Sequence, residues 1–376
     1  MIKKTSLLIL FAAGFFSSLF SQDLQHEVRV VNIEIPVRVF KGDAFIDSLT
    51  MDDFEVREEG KIQKIEAVYL IKKSKIEKSE ETKKFAPRVG RRSFILLFEL
   101  DDYLAELGNA IDYFFESVMQ PGDDLQVVTP EKTYHLKDEA LQRLPPKKIS
   151  DQLKGKIRHD VASGSGKLRG LLRDLESVAY IEGLDEDVRD ATAKNIMRAI
   201  REEKLLEEKK LHRLAASLKT LEGQKDVFLF YQEEALRLPG VFAEFEEFRR
   251  DLLFDPEEVK RAFVDAGGSI HLLLITKTAQ HSLDAASLIP EAMVIVKSSQ
   301  DFHSVFREMA VATGGLTVTS ANPASSFRRA VEASANYYLL YYSPTEFKLD
   351  GKFRKIEVKI RTGGYRVLHR AGYIAH

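Results

Sequence analysis

The sequence predicts a doubly wound α/β fold with a mostly parallel sheet, a helical insertion and a flanking antiparallel β-sandwich. Unbroken apolar runs, such as the one over 94–98, are typical of central strands that are buried on both faces. These runs alternate with segments in which apolar residues recur every three or four positions, as in amphipathic helices. Both ends of the chain instead carry apolar residues at every second position, which is typical of antiparallel strands.

The first 21 residues are predicted to be a secretory signal peptide. Lys3 and Lys4 precede an apolar stretch over 7–20, and the chain becomes polar after Ser21. This stretch is shorter than the roughly 20 residues that a spanning helix needs. We therefore expect an exported product, periplasmic or extracellular, without an integral membrane span after signal cleavage; a retained anchor is the alternative.

Composition excludes several classes of partner and of stabilisation. The sequence contains no cysteine, so no disulfide and no lipid on an N-terminal cysteine is available. Lysine and arginine total 56 against 58 aspartates and glutamates. Because no strong whole-chain field results, we expect no nucleic-acid partner. Stability must come from buried cores.

The order of these patterns predicts the domain organisation. An N-terminal β segment is expected over 27–72, and a lysine- and glutamate-rich stretch over 73–90 is either a solvated linker or an exposed hairpin tip. The α/β domain is expected over 91–335. A C-terminal β segment over 336–376 is expected to pack with the N-terminal one. The predicted strands of the α/β domain cover 94–98, 125–128, 227–231, 270–275 and 316–319.

A helical insertion is predicted over about 150–222, where lysine, arginine and glutamate are abundant. Lys204 and Glu207 interrupt its leucine spacing, which favours a short two-helix hairpin lying on the domain over a dimeric coiled coil. The other helices of the α/β domain are expected over 104–118, 240–253, 256–266, 302–312 and 323–334.

The strand over 94–98 is followed by Asp101 and Asp102, at the place where open α/β sheets bind ligands. Acidic residues there can hold a divalent cation through oxygen. An aspartate after a strand is also an ordinary N-cap for the next helix. Both interpretations of Asp101 stay open.

Five short motifs lie along the chain in a definite order. They are 49–56 with Glu59-Gly60, Pro121-Gly122-Asp123, Ala312-Thr313-Gly314-Gly315, 337–344 and Arg370-Ala371-Gly372-Tyr373. Their order and spacing resemble the VWFA-related domain family of exported bacterial proteins. The resemblance implies a Rossmann-like von Willebrand factor type A domain that acts through binding.

Domains of this type often bind Mg²⁺ through an Asp-x-Ser-x-Ser turn, a threonine on a second loop and an aspartate on a third. In this chain Asp101 is kept, but Tyr103 and Ala105 stand where the serines would be. The hydroxyl ligands of the first turn are therefore missing.

The second and third loops also depart from the pattern. A glycine-rich stretch over 163–168, expected to be a flexible turn, has Gly166 at the threonine position beside Ser165, and Gln232 precedes Glu233 on the third loop. The resemblance implies a degenerate metal-ion-dependent adhesion site. Its binding rim, and its candidate metal ligands, would be Asp101, Asp102, Ser165 and Glu233.

We expect a non-catalytic protein that mediates protein–protein or surface contacts, without a cofactor and with a protein or cell-envelope partner. None of the nine histidines falls in a nucleophile or zinc motif. One alternative is Mg²⁺-dependent adhesion through the reduced site. Another is a degenerate envelope enzyme, for which the sequence offers no supporting residues. The oligomeric state stays open.

Overall fold

Strands cover much of the chain that the structure, a computed structural model, describes. The described residues are 31–87, 91–100, 102–136, 141, 143–232, 236–237, 256–276, 294–295 and 297–375. In chain order the strands are β1 (Ile33–Lys41), β2 (Ala44–Phe45), β3 (Phe54–Glu58), β4 (Lys61–Gln63), β5 (Ile65–Lys72), β6 (Lys75–Glu81), β7 (Arg92–Glu99), β8 (Asp124–Val128), β9 (Thr133–Leu136), β10 (Gln224–Gln232), β11 (Leu236–Arg237), β12 (Ser269–Ile275), β13 (Val294–Ile295), β14 (Thr317–Ser320), β15 (Asn336–Tyr342), β16 (Phe353–Ile360), β17 (Arg366–His369) and β18 (Gly372–Ile374).

Local chemistry explains several helix boundaries. The side chain of Asp185 accepts hydrogen bonds from the first turn of one helix, and Asn322 caps another that has Pro323 in its first turn. The helices are α1 (Ala105–Tyr113), which a π-helical turn over Phe114–Val118 extends, α2 (Pro146–Tyr180), α3 (Glu186–Lys219), α4 (Pro256–Ala266), α5 (Lys297–Ala312) and α6 (Pro323–Ser334). The predicted signal peptide over 1–21 and the predicted helix over 240–253 lie outside the described residues.

Two antiparallel sheets combine strands from both ends of the chain. The first has the order β17-β1-β15-β5-β6, with β2 paired to β1, and the second has the order β18-β16-β3-β4. Their side chains meet: the rings of Phe54 and Tyr338 are 5.1 Å apart, and the Tyr342 hydroxyl donates to Glu58 Oε2 at 2.6 Å. Burial first and the Glu58 carboxylate second hold the pKa of Tyr342 far above its usual value.

The third large sheet is only partly parallel. Its order is β14-β12-β10-β7-β8-β9, and β9 runs antiparallel to β8. One core cluster packs α1, α2 and α6 on this sheet, and a second packs α3, α4 and α5. The central strands are almost wholly apolar, so they are buried on both faces.

The predicted doubly wound, mostly parallel fold with a flanking sandwich is wrong. Three of the four sheets formed by the described residues are antiparallel, and the fourth has an antiparallel edge strand. The chain is therefore a mixed α/β fold in which antiparallel pairing is widespread. The five strands predicted from apolar runs do run parallel, but β9 pairs antiparallel with β8, and β11 pairs antiparallel with β13. These short strands carry no long apolar run, so the pattern that predicted the parallel sheet could not report them.

A buried ionic cluster joins the first antiparallel sheet to the partly parallel one. Arg38 of β1 contacts Asp226 of β10, with Nη2 and Oδ1 3.5 Å apart, and both side chains are 2% exposed. The cluster also includes His271 of β12, whose Nδ1 accepts from the backbone N–H of Leu316 at 3.2 Å. The proton of the neutral imidazole is therefore on Nε2, which donates to Asp226 Oδ1 at 3.0 Å.

The predicted helical insertion forms two long helices joined by a turn at 181–185. Near the sheet, α2 contributes Ile149, Leu153, Ile157 and Val161 to one core cluster, whereas α3 contributes Leu211, Leu214, Ala215 and Leu218 to the other. Residues 164–208, which we name the helical arm, contain buried side chains that belong to neither cluster: Leu175, Val178, Ala193, Met197 and Ile200. The hairpin covers nearly the predicted range of 150–222, but it is not short, because each helix exceeds 30 residues.

The structure decides two local predictions, for the stretch over 73–90 and for the stretch over 163–168. The charged stretch over 73–90 contains β6, a wholly exposed edge strand paired with β5, which favours the hairpin alternative. The flexible turn predicted over 163–168 is wrong, because these residues continue α2. Among the described residues, no helix is both long and apolar enough to cross a bilayer.

Candidate functional site

The candidate site is the edge of the partly parallel sheet where β7, β8 and β10 end, which we name the carboxyl edge. Ligands of open α/β sheets bind beyond such strand ends. β7 ends at Glu99, β8 ends one residue before Thr129, and β10 ends at Gln232. The parallel register of β10 with β7 and of β7 with β8 brings these ends side by side.

Asp102 and Gln232 are held together at this edge. The backbone N–H of Asp102 donates to Gln232 Oε1 over 3.0 Å. Gln232 is buried, whereas Asp102 is exposed. The amide side chain therefore fixes the backbone of the turn and leaves the Asp102 side chain on the surface.

A second network anchors β8, β9 and α2 around the buried carboxylate of Asp160. Its Oδ2 lies 2.8 Å from Thr129 Oγ1 and 2.7 Å from the Tyr134 hydroxyl, and its Oδ1 lies 3.3 Å from His159 Nδ1. Burial would raise the pKa of Asp160, but these hydrogen bonds offset it and hold the pKa below its usual value. Burial and the same carboxylate raise the pKa of Tyr134 to about 12.

Lys210 ties α3 to the same edge. Its Nζ donates to the carbonyl oxygen of Thr129 at 2.7 Å and lies 3.4 Å from Glu99 Oε1. Asp160 of α2 and Lys210 of α3 thus both bind Thr129. The helical arm therefore leaves the sheet, and returns to it, at the carboxyl edge.

The arrangement around Asp160 does not match a nucleophilic triad. In such a triad the imidazole lies between the hydroxyl and the carboxylate, so that it can take the hydroxyl proton. Here the carboxylate lies between Thr129 and His159. His159 can therefore not act as a base toward Thr129, and the network is suited to holding the edge rigid.

Of the four predicted rim residues, only Asp102 can be placed in full. Asp101 and Glu233 lie outside the described residues. Ser165 lies on α2, directly after Gly164, which packs so closely on Pro130 that a Cβ there would overlap the proline ring. The rim therefore stays a prediction.

The described donor set does not fit a Mg²⁺ site. No group of three or more histidine, aspartate or glutamate side chains within the described ranges is positioned to share a metal ion. The amide oxygen of Gln232 already accepts from Asp102 N–H. Octahedral oxygen coordination would need further donors at this position.

Sequence reasoning missed Thr129, Tyr134, Asp160 and Lys210. One signal was available: Asp160 follows Ile157 at helical spacing, so a carboxylate stands on the apolar stripe of α2. Such a residue needs a buried hydrogen-bonding partner. Its partners, Thr129 and Tyr134, could not be identified without the fold.

Comparison with known proteins gives little support for any family. No family model matches the chain, and no curated protein matches it. Among solved structures, the human COPII-coat protein Sec24c shows 9% sequence identity with a TM-score of 0.27. The similarity covers 77% of this chain and 44% of Sec24c, so this chain spans less than half the length of that protein. A likeness at this level carries no argument about function.

The identification with the VWFA-related domain family is therefore wrong. Its motifs have local physical explanations instead. Gly60, Gly122 and Gly314 have φ angles of 79°, 89° and 72°, which favour glycine in any fold. Asp53 completes a capping box with Thr50 at a short 3₁₀ turn. Turn chemistry alone can produce such motifs without common ancestry.

Proposed function

We propose that this chain is an exported, non-catalytic interaction protein that binds a protein or cell-envelope partner at its carboxyl edge, without a metal. The observation that carries the proposal is the helical arm that leaves the sheet at this edge. Export rests on the residue pattern over 1–21. N-terminal sequencing of the secreted product should find cleavage near Ser21.

The arm extends beyond the part of the helices that packs on the sheet. The part of α2 that belongs to the arm, residues 164–180, reaches about 25 Å at 1.5 Å per residue. Its two helices contact each other, and its buried residues are outside the two clusters that cover the sheet. A projection of this kind adds little to the domain core, which favours a role in binding.

The tip of the arm carries exposed apolar side chains. Ile181 is 46% exposed and Val188 is 51% exposed. The turn between them is held in shape, because Asp185 accepts from the backbone N–H of Val188 and Arg189 donates to the carbonyl oxygen of Ile181. A rigid tip with two exposed aliphatic residues suits contact with another protein.

The carboxyl edge complements the arm. Asp102 is exposed there on a fixed turn, and the hydroxyl of Thr129 is already engaged by Asp160. These features support recognition of a partner rather than attack on a substrate.

Site-specific crosslinking in the producing cells tests the proposal. A photoreactive amino acid at Val188 should give one reproducible adduct with a second protein. The matched control is Leu349, which is 61% exposed on the loop before β16. Asp102→Ala should weaken capture of the same protein by about tenfold, which corresponds to roughly 1.4 kcal/mol.

Four outcomes would contradict the proposal. Identical adducts from Val188 and Leu349, or none from either position, would remove the arm as a binding surface. Saturable heat on titration of Mg²⁺, lost in Asp101→Ala, would support metal-dependent adhesion instead. Turnover of an ester or phosphate substrate that Thr129→Val abolishes would support the enzyme alternative.

A further inference from the structure

A groove lies between α4, α5 and the second antiparallel sheet, on a different part of the molecule from the carboxyl edge. Its volume is 640 Å³, and its lining includes Val264 of α4, Val311 of α5 and Phe353 of β16. Ligand and peptide sites in proteins commonly have this size and a mainly apolar lining.

Two large apolar side chains are exposed in the groove. Val311 is 65% exposed and Phe353 is 37% exposed. The described residues include seven exposed large apolar side chains, and two of them meet here. Single exposed apolar residues are ordinary, but a pair around one concave surface marks a contact site.

The charged rim of the groove has an excess of positive charge. Lys260 pairs with Glu257 and lies 3.6 Å from Glu308, so it serves both rim glutamates. Arg261 and Arg307 also line the groove, and their side chains form no hydrogen bond or ion pair in the described part of the chain. Two guanidinium groups are therefore available beside an apolar floor.

We propose that this groove binds an amphipathic peptide segment of a partner protein that carries both apolar and acidic side chains. The apolar side chains contact Val264, Val311 and Phe353, and the carboxylates pair with Arg261 and Arg307. Arginine suits this role because its planar donors match a carboxylate in a bidentate pair. The arrangement corresponds to the helix-in-groove mode of peptide recognition.

Fluorescence anisotropy with two labelled peptides tests the assignment on the full mature chain. Both peptides have about 14 residues, long enough for a marginal helix, with leucine at helical i, i+3, i+4 and i+7 spacing. One carries glutamate at the remaining positions and the other carries lysine. The Leu/Glu peptide should bind saturably, and the Leu/Lys peptide should bind at least tenfold more weakly.

Surface variants locate the binding site. Arg261→Gln combined with Arg307→Gln should weaken the Leu/Glu peptide by about tenfold, because two exposed ion pairs are lost. Val311→Asp should weaken it further by repulsion. The matched control is Arg213→Gln, since Arg213 is exposed on α3 outside the groove, and it should leave binding unchanged.

Several results would overturn the proposal. These are no saturable binding by the unmodified chain, equal binding of the two peptides, and equal binding by the double arginine variant and the control. A dimer of the unmodified chain that the double variant abolishes would show that a second copy covers the groove. Because the arm and the carboxyl edge are unchanged in these variants, failure here leaves the Val188 crosslinking result intact.

Discussion

Removing the charge of Arg38 should destabilise the whole fold, because Arg38 joins two sheets through buried groups. Its Nη1 donates to the carbonyl oxygen of Gly314 at 3.0 Å and to Ser269 Oγ at 3.3 Å, and its Nη2 faces Asp226. In Arg38→Leu, the side-chain donors left to the Asp226 carboxylate among the described residues are neutral: His271 Nε2 at 3.0 Å and Gln224 Nε2 at 2.6 Å. Breaking one partner of a buried ion pair costs about 3–5 kcal/mol.

A double-mutant cycle separates this charge effect from lost packing. Asp226→Asn alone leaves the buried Arg38 guanidinium without an opposite charge. Arg38→Leu combined with Asp226→Asn leaves no unpaired charge. The double variant should therefore be more stable than the sum of the single losses by about 2–3 kcal/mol. Urea unfolding followed by circular dichroism measures this, since the chain has no tryptophan to report by fluorescence.

Two results would refute this reasoning. A loss below about 1 kcal/mol in Arg38→Leu would mean that the neutral donors suffice for Asp226. Simple additivity in the cycle would mean that the two side chains do not interact. The matched control is Arg366→Leu, which removes an exposed arginine from the same sheet and should cost little.

Two further predictions concern His271 and α2. Burial holds the pKa of His271 below its ordinary value of 6.5, so the unfolded chain binds more protons and the free energy of unfolding should fall as pH drops below 6.5. The urea midpoints at about pH 7.5 and 5.5 should differ less in His271→Asn than in the unmodified chain. Some loss of stability at the lower pH should remain in the variant, because burial also lowers the pKa of His369. An equal difference in the two proteins would contradict this prediction. Gly166→Ala and Gly170→Ala should each raise the free energy of unfolding by about 1 kcal/mol, because both lie inside a helix with open space around the added Cβ. Gly164→Ala should lower it through overlap with Pro130, and unchanged urea midpoints at positions 166 and 170 would indicate a loop instead.

The sequence predicts burial and local structure better than it predicts pairing. The apolar run over 94–98 forms the core of β7, and the run over 270–275 forms β12, because both stretches can be stable only inside a sheet. The direction of each strand depends on partners far along the chain. The pairing of β1 with β15 joins strands from opposite ends of the chain, and no local pattern identifies such a partner.

Glycine misled the prediction at 163–168. Two glycines within six residues usually indicate a turn, yet here Gly164 allows α2 to approach Pro130 and the helix continues past Gly166. The close contact between Gly164 of α2 and Pro130 joins residues far apart in the sequence, so no local pattern could predict it.

At the candidate site, too, the sequence predicts local positions but not long-range contacts. Asp102 could be placed at a strand end from the sequence, because a buried strand and an amphipathic helix flank it. Its contact with Gln232 depends on β10 lying beside β7 in parallel register. The network of Asp160 likewise joins residues of β9 and α2 that only the fold brings together.

The position of β15 sets the order in which this protein can fold. This strand lies between β1 and β5, and the hydroxyl of Tyr341 binds Glu34 across a separation of 307 residues. The N-terminal strands therefore lack their central neighbour until almost the whole chain has left the ribosome. Such a long closure slows folding. For a protein proposed to be exported, the delay would keep the emerging chain unfolded long enough to be threaded through a translocation channel.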